Sequence, residues 1–345
     1  MKILVTGGGG FVGSHVCEYF SKKGAQVIAF DNLSRARLLK RKKASTRYNW
    51  NFLGALPRIQ RVTGDINHRA GILKHMKGVQ AVIHTAGQTA VTTSVTDPET
   101  DFMTNAVGTF HVLEAARSMK KPPMVLICST NKVYGDRVNS IPLRKRADRY
   151  VFSDQYRQGV PEDFGTDLCK HTPYGCSKLT ADLYAQDYAR MYGMKVGVFR
   201  MSCIYGTRQF GVEDQGWLVW FIIAAVTKKP LTIYGDGRQV RDVLWVEDLV
   251  RAYEAFIHSR VPSGVYNMGG GARYTLSLLE LIGMLKREGL SIQYQKAAWR
   301  PSDQKVYISN IQKAVKELSW KPLVSPVLGV RRLVQWVREH QGLFK

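Results

Sequence analysis

The chain has 345 residues, 45% of them hydrophobic, enough to bury a large core and to build two domains or one large domain with an appended lobe. Its 50 Lys and Arg against 27 Asp and Glu leave a net charge of +23, a balance that draws polyanions. The longest apolar run, Trp217 to Val226, falls short of the ~20 residues that span a bilayer, the five cysteines form no CxxC pair, and the eight histidines show no metal-ligand spacing, which argues against a membrane protein, a disulfide framework and a metal site. A soluble cytoplasmic protein with reduced thiols packed in its core, and without a signal peptide ahead of the first strand, is expected.

That strand is the apolar run Ile3 to Val5, followed by TGGGGFVGS and an amphipathic stretch that reads as a helix. Gly7 permits the tight turn, Gly10 lets the backbone approach a phosphate, and Gly13 lets the helix pack closely on the strand. The helix amino terminus then faces a pyrophosphate. The next apolar run, Gln26 to Phe30, ends in Asp31, where a carboxylate accepts hydrogen bonds from both adenosine ribose hydroxyls and repels a 2′-phosphate. NAD is therefore expected over NADP, although Arg35 and Arg37 stand close enough in sequence to offset part of that repulsion. Strand, turn, helix and acid in this order outweigh the alternative of a Gly-rich turn that binds nothing.

Seven basic residues crowd between Arg35 and Arg47. One reading is a solvated insert in the loop after the second strand; the rival is a surface for RNA or DNA on a dinucleotide-fold scaffold. The insert is favoured because blocks of like charge stay exposed, and a nucleotide-linked substrate would use the same positive field. Further strands start near Arg58, Val79, Pro123 and Lys195 with helices between them, which predicts an α/β fold with a Rossmann-type doubly wound parallel sheet over residues 1–200. After Arg200 the rhythm changes to loops, one very apolar helical segment from Asp214 to Lys229 and short Gly-rich pieces. Residues 201–345 are expected to form mainly a smaller α/β substrate lobe, interleaved with the last sheet strands.

The chemistry is read from HTPYGCSK, where Tyr174 and Lys178 are four residues apart at the start of a helix and so share one face. A phenol with a resting pKa of ~10 is a poor base unless a nearby ammonium stabilises its phenolate, which Lys178 supplies. Upstream, STNKVYG ends the buried strand Met124 to Cys128 and presents Thr130, whose hydroxyl can bind a reacting oxygen. His84 and His171 flank these motifs and are read as packing or capping residues. Trp217, Trp220 and Phe221 are read as core.

With these motifs the chain resembles the extended short-chain dehydrogenases/reductases that act on sugar nucleotides. The blocks HTAGQTAVTTSVTDP (84–98), STNKVYGD (129–136), HTPYGCSK (171–178), YGTRQFGVEDQGWLVWF (205–221), GRQVRDVL (237–244) and RPSDQ (300–304) are spread over nearly the whole chain and resemble the NAD-dependent epimerases of that group. The resemblance implies that bound NAD oxidises a CDP-linked hexose at C2 and returns the hydride to the opposite face, without net redox change. It makes Tyr174 the base and then the acid, Lys178 its electrostatic partner, and Thr130 the second group at the reacting hydroxyl. Phe11, Val12, Asp31, Asn32, Ser34 and Arg35 would surround the pyrophosphate and adenosine, with Asp65 and Ile66 flanking the adenine and Ala86, Gln88 and Asn105 lining the nicotinamide side. Arg208, Gln209, Gln215 and Arg241 are candidates for the substrate diphosphate. Asp65 has a second reading as a helix cap, and Arg241 as the ion-pair partner of Asp242. Asn131 and Lys132 stand where the 4,6-dehydratases carry an Asp-Glu pair, which disfavours dehydration and leaves 4-epimerisation as the alternative reaction. A homo-oligomer, dimer or tetramer, is expected.

Overall fold

The computed structural model describes residues 1–34, 44–213, 215–300 and 303–344. Five strands open the chain: β1 (Lys2–Thr6), β2 (Gln26–Asp31), β3 (Ile59–Thr63), β4 (Ala81–His84) and β5 (Met124–Thr130). The runs at β1, β4 and β5 are apolar without alternation because both sheet faces are covered, as in a parallel α/β sheet. With the strands Val196–Met201 and Ser263–Met268 they form one seven-stranded sheet, ordered from Ser263–Met268 through Val196–Met201, β5, β4, β1 and β2 to β3. The pairs of β1 with β2 and β4, of β2 with β3 and of β4 with β5 are parallel. This is the Rossmann order, in which direction reverses between β1 and β4 and ligands bind beyond the carboxyl ends of the strands.

Two compact units make up the chain. The first comprises Met1–Thr130, Pro173–Arg200 and Val250–Tyr266. Its core joins Leu4, Ile28, Val82, Ile127 and Val198 of the sheet to Val112, Leu113, Ala185 and Tyr188 of the covering helices. The second comprises Asn131–Thr172, Met201–Leu249 and Asn267–Lys345. Its central strand, Val240–Trp245, runs parallel to Cys203–Tyr205 and Val306–Tyr307 and antiparallel to Thr275–Ser277. The helices Trp217–Thr227, Leu278–Arg287 and Pro326–Glu339 bury a separate apolar core. Ser277 and Glu280 start the second of these with a reciprocal capping box, and Ser325 caps the third.

The expected helix from Asp214 to Lys229 is shorter, Trp217–Thr227, because Gly216 and Lys228 at its two ends adopt left-handed backbone. Phe221 lies in the core of the second unit, with Trp217 and Trp220 packed on it. Only two of the five cysteines, Cys17 and Cys128, are buried, and Cys176 is exposed, so the expectation of core thiols holds for part of the set. Among the described residues no helix is long and apolar enough to cross a membrane.

Candidate active site

The glycine turn is built by contacts that side chains would destroy. The Gly7 and Gly8 amides donate to the Phe30 carbonyl at the end of β2, and Gly10 donates to the Gly7 carbonyl. Gly7 has a φ of +72°, and a Cβ there would stand 2.5 Å from the Ala86 nitrogen. A Cβ on Gly13 would stand 2.1 Å from the Gly7 carbonyl oxygen, so the first turn of α1 (Phe11–Lys22) can lie on the strand end only with glycine at this position. Gly10 is the N-cap of α1; no side chain caps it and no acidic residue stands in the first turn, an arrangement suited to an anion.

Asp31 lies beside this turn. Its carboxylate accepts the Gly9 amide at 2.9 Å and the Leu33 amide at 2.7 Å. Burial pushes its carboxyl up from the usual range, those two amides pull it down, and Asp65 pushes it up again. Each oxygen retains acceptor capacity for a hydroxyl. Asn32 donates to Asp65 at 2.9 Å and accepts the Ser34 amide at 3.0 Å, joining the loops after β2 and β3. Asp65 also accepts the Asn67 amide at 2.9 Å, while the cap position of the helix Arg69–Met76 is His68, so the helix-cap reading of Asp65 is corrected. Ile66 is buried, with its side chain against Gly108. Val12 is half-buried, and the Phe11 ring meets His15 edge-on at 5.6 Å. Arg35 lies outside the described residues.

Thr130, Tyr174 and Lys178 come together in the same unit. Thr130 ends β5, and Tyr174 and Lys178 stand one turn apart in the helix Pro173–Tyr192. The Thr130 hydroxyl hydrogen-bonds the Tyr174 phenol. Burial pushes that phenol up to about 12, the Thr130 bond lowers it, and Asp101 and Cys128 raise it. The Lys178 ammonium donates to the Cys128 carbonyl at 2.5 Å; burial lowers it from the usual lysine range, while Cys128, Asp182 and Asp101 raise it.

Gln88 and Asn105 are committed to a buried polar network. Asn105 Nδ2 donates to the Gln88 carbonyl, to Asp101 and to the Ser177 hydroxyl, and its Oδ1 accepts the Gln88 amide at 2.9 Å. Ser177 donates to Asp101, so the loop after β4 is tied to the helix of Tyr174. The residue that sequence reasoning missed is Asp182, one turn beyond Lys178. It is fully buried, accepts the Ser129 hydroxyl at 2.6 Å, and receives Arg200 Nε at 3.0 Å and Nη2 at 3.1 Å. An acidic residue on a helix ordinarily signals a solvated face, and no neighbouring residue in sequence announces this pair.

His84 serves structure. Its two ring nitrogens meet the hydroxyls of Thr6 at 2.6 Å and Thr109 at 2.9 Å, and burial, with a contribution from Lys178, lowers it to about 3. Because the folded value lies below the ordinary ~6.5, protonation opposes folding: the stability from neutral His84 is complete above pH ~6.5 and is lost as pH falls toward the folded value. His84→Gln is therefore expected to lose less melting temperature than wild type between neutral pH and pH ~4. Equal pH slopes in the two proteins would contradict this. His171 also makes local contacts, to the Thr166 carbonyl at 2.7 Å and the Lys132 carbonyl at 3.3 Å.

The diphosphate candidates belong to the second unit. Arg208 is buried with a φ of +58°, and Gln209 Nε2 reaches the Ile204 carbonyl at 3.4 Å. Gln215 pairs with Val212 through both backbone groups at 2.9 Å, which closes the loop ahead of Trp217–Thr227. The ion-pair partner of Arg241 is Asp303, at 2.9 Å, rather than the adjacent Asp242. Asn131 donates to Gln304 at 3.1 Å, and Gln304 to the Gly135 carbonyl at 3.0 Å.

A parallel sheet in Rossmann order that carries a glycine turn and an acid at the end of β2 defines a dinucleotide-binding fold, and the Thr–Tyr–Lys group beside it matches the resemblance to the extended short-chain dehydrogenases/reductases. The sequence pattern of the NAD dependent epimerase/dehydratase family matches residues 3–269, and the chain belongs to this family. It is 39% identical over 348 residues to a CDP-paratose 2-epimerase of Salmonella typhi, covering 97% of this chain and 99% of that protein. Among solved structures it is similar to a UDP-glucose 4-epimerase of Thermotoga maritima with UDP-glucose, at TM-score 0.81 and 27% identity, over 99% of this chain and 100% of that one. It is also similar to the Thermus thermophilus UDP-glucose 4-epimerase in complex with NAD, at TM-score 0.80 and 26% identity, over the same shares of the two chains. The cofactor is NAD, and the glycine cradle and the Asp31 carboxylate fit it.

Proposed function

We propose that the chain epimerises a nucleotide-linked hexose, inverting C2 of a CDP-linked 3,6-dideoxyhexose such as CDP-paratose. The observation that carries this reading is the Thr130–Tyr174 hydrogen bond, followed directly in sequence by Asn131, whose amide cannot titrate and is tied to Gln304. Eliminating water from a sugar needs a further acid and base beside that threonine, whereas epimerisation needs only the proton relay and the hydride acceptor. The Salmonella typhi relative supports C2 and a CDP-linked substrate. The UDP-glucose 4-epimerase neighbours favour C4 as the second reading.

In this reading residues 1–200 form mainly the NAD-binding domain and 201–345 mainly the substrate lobe. Gly7, Gly10, Phe11, Val12 and Gly13 hold the pyrophosphate of NAD; Asp31, Asn32, Ser34, Asp65 and Ile66 hold its adenosine; Ala86, Gln88 and Asn105 lie toward its nicotinamide. When bound, NAD supplies a hydride acceptor that also returns the hydride. Tyr174 takes the proton of the sugar hydroxyl and later gives it back, Thr130 holds that oxygen in line, and the Lys178 ammonium stabilises the phenolate. Arg208, Gln209, Gln215 and Arg241 hold the substrate diphosphate, since guanidinium forks match phosphate oxygens.

The protein works in the cytoplasm in this reading, where its five cysteines persist as free thiols. It assembles as a homo-oligomer through exposed apolar side chains of the first unit, including Phe102, Phe110, Leu183 and Tyr184, and sedimentation tests this. Because each turnover regenerates the cofactor, NAD is expected to remain with the protein through purification. Nucleotide released by acid should be mainly NAD(H); stoichiometric NADP, or activity that consumes added cofactor, would overturn the reading.

A further inference from the structure

The chain that follows the basic insert folds back onto the glycine turn. In the short helix Tyr48–Gly54, Asn49 donates to the Gly10 carbonyl at 3.3 Å. A Cβ on Gly9 would stand 3.3 Å from Cε3 of Trp50 and 3.2 Å from Oδ2 of Asp31. The indole and the carboxylate thus converge on one point over the turn. From behind, Arg61 fixes the indole: its Nη1 donates to the Trp50 carbonyl at 3.0 Å, and its guanidinium lies 5.5 Å from the ring centroid. Gly54 leaves room for this arrangement, since a Cβ there would stand 2.7 Å from Cζ of Arg61. Trp50 remains half-buried.

We propose that Trp50 is the wall of the adenosine end of the NAD cradle, a positioning residue that covers the ribose where Asp31 binds its hydroxyls. The inference rests on the NAD reading of the site and assigns a residue that the glycine-and-acid pattern does not include. An indole beside a carboxylate excludes water from its hydrogen bonds to the ribose and so strengthens them. The aromatic ring also offers the nucleoside a flat apolar surface. Asn49 and Arg61 set the position of that surface without belonging to the glycine turn themselves.

The test is the rate at which purified holoprotein releases NAD into excess ADP-ribose. Trp50→Ala is expected to release it about tenfold faster than wild type, at the low end of what one aromatic–nucleoside contact is worth, while Trp50→Phe stays near wild type. Wild-type release from Trp50→Ala, or release from Trp50→Phe as fast as from Trp50→Ala, would overturn the proposal. If Trp50→Ala fails to fold, the fluorescence difference between wild type and Trp50→Phe decides: emission from Trp50 must change when NAD leaves, and a constant difference overturns the assignment. A wild-type protein that carries no nucleotide would overturn the cofactor reading itself, which separates the two failures.

Discussion

Tyr174→Phe is expected to lower turnover by ~10²–10⁴-fold, the usual contribution of a positioned proton transfer, and to leave NAD bound. The phenol is buried and pushed up to about 12, so at neutral pH it is protonated until positive charge gathers around it. Lys178, one turn along the same helix and anchored on the Cys128 carbonyl at the end of β5, is the proposed source of part of that charge. Phenylalanine preserves the packing of the ring and leaves the glycine turn untouched, so only the proton relay is lost. Single-turnover rates, together with nucleotide released by acid, read the two consequences separately. Near-normal turnover would remove Tyr174 from the mechanism.

Asp182→Ala is expected to destabilise the fold by about 3–5 kcal/mol, because it removes a carboxylate that pairs with the buried Arg200 guanidinium. The side chains of Arg200 and Asp182 are only 6% and 0% exposed, so solvent screening relieves little of the loss. The same substitution releases Ser129, the neighbour of Thr130, so the end of β5 should loosen as well. Urea unfolding measures the first effect. The double variant Asp182→Leu with Arg200→Met should recover much of the stability, since a well-packed apolar replacement removes both charges together. Unchanged stability in Asp182→Ala would show that the pair contributes little.

Sequence legibility followed the reach of the forces involved. Strands near Lys2, Ala25, Arg58, Val79, Pro123 and Lys195 were legible because short apolar runs between turns reflect burial on both sheet faces. The glycine turn was legible because each glycine answers a local steric demand, as the 2.1 Å approach at Gly13 illustrates. The membership of Asn131–Thr172 in the second unit was not legible. It depends on partners far along the chain, such as Gln304 for Asn131 and Glu280 for Arg149, and polar segments carry no periodicity that names them. Gln88, Asn105 and Asp182 illustrate the same boundary. The resemblance to the epimerases makes the first two candidate site residues, but their ties to Asp101 and Ser177, and the burial of Asp182 against Arg200, arise only when helix and sheet are packed.

Inversion at C2 by removal and return of the same hydrogen is tested by the reaction of a CDP-linked 3,6-dideoxyhexose in deuterated water. C2 should invert and the product should carry no solvent deuterium at that carbon, because the hydrogen never exchanges with water. Deuterium at C2 would contradict hydride return, and inversion at C4 with C2 untouched would contradict the assigned carbon.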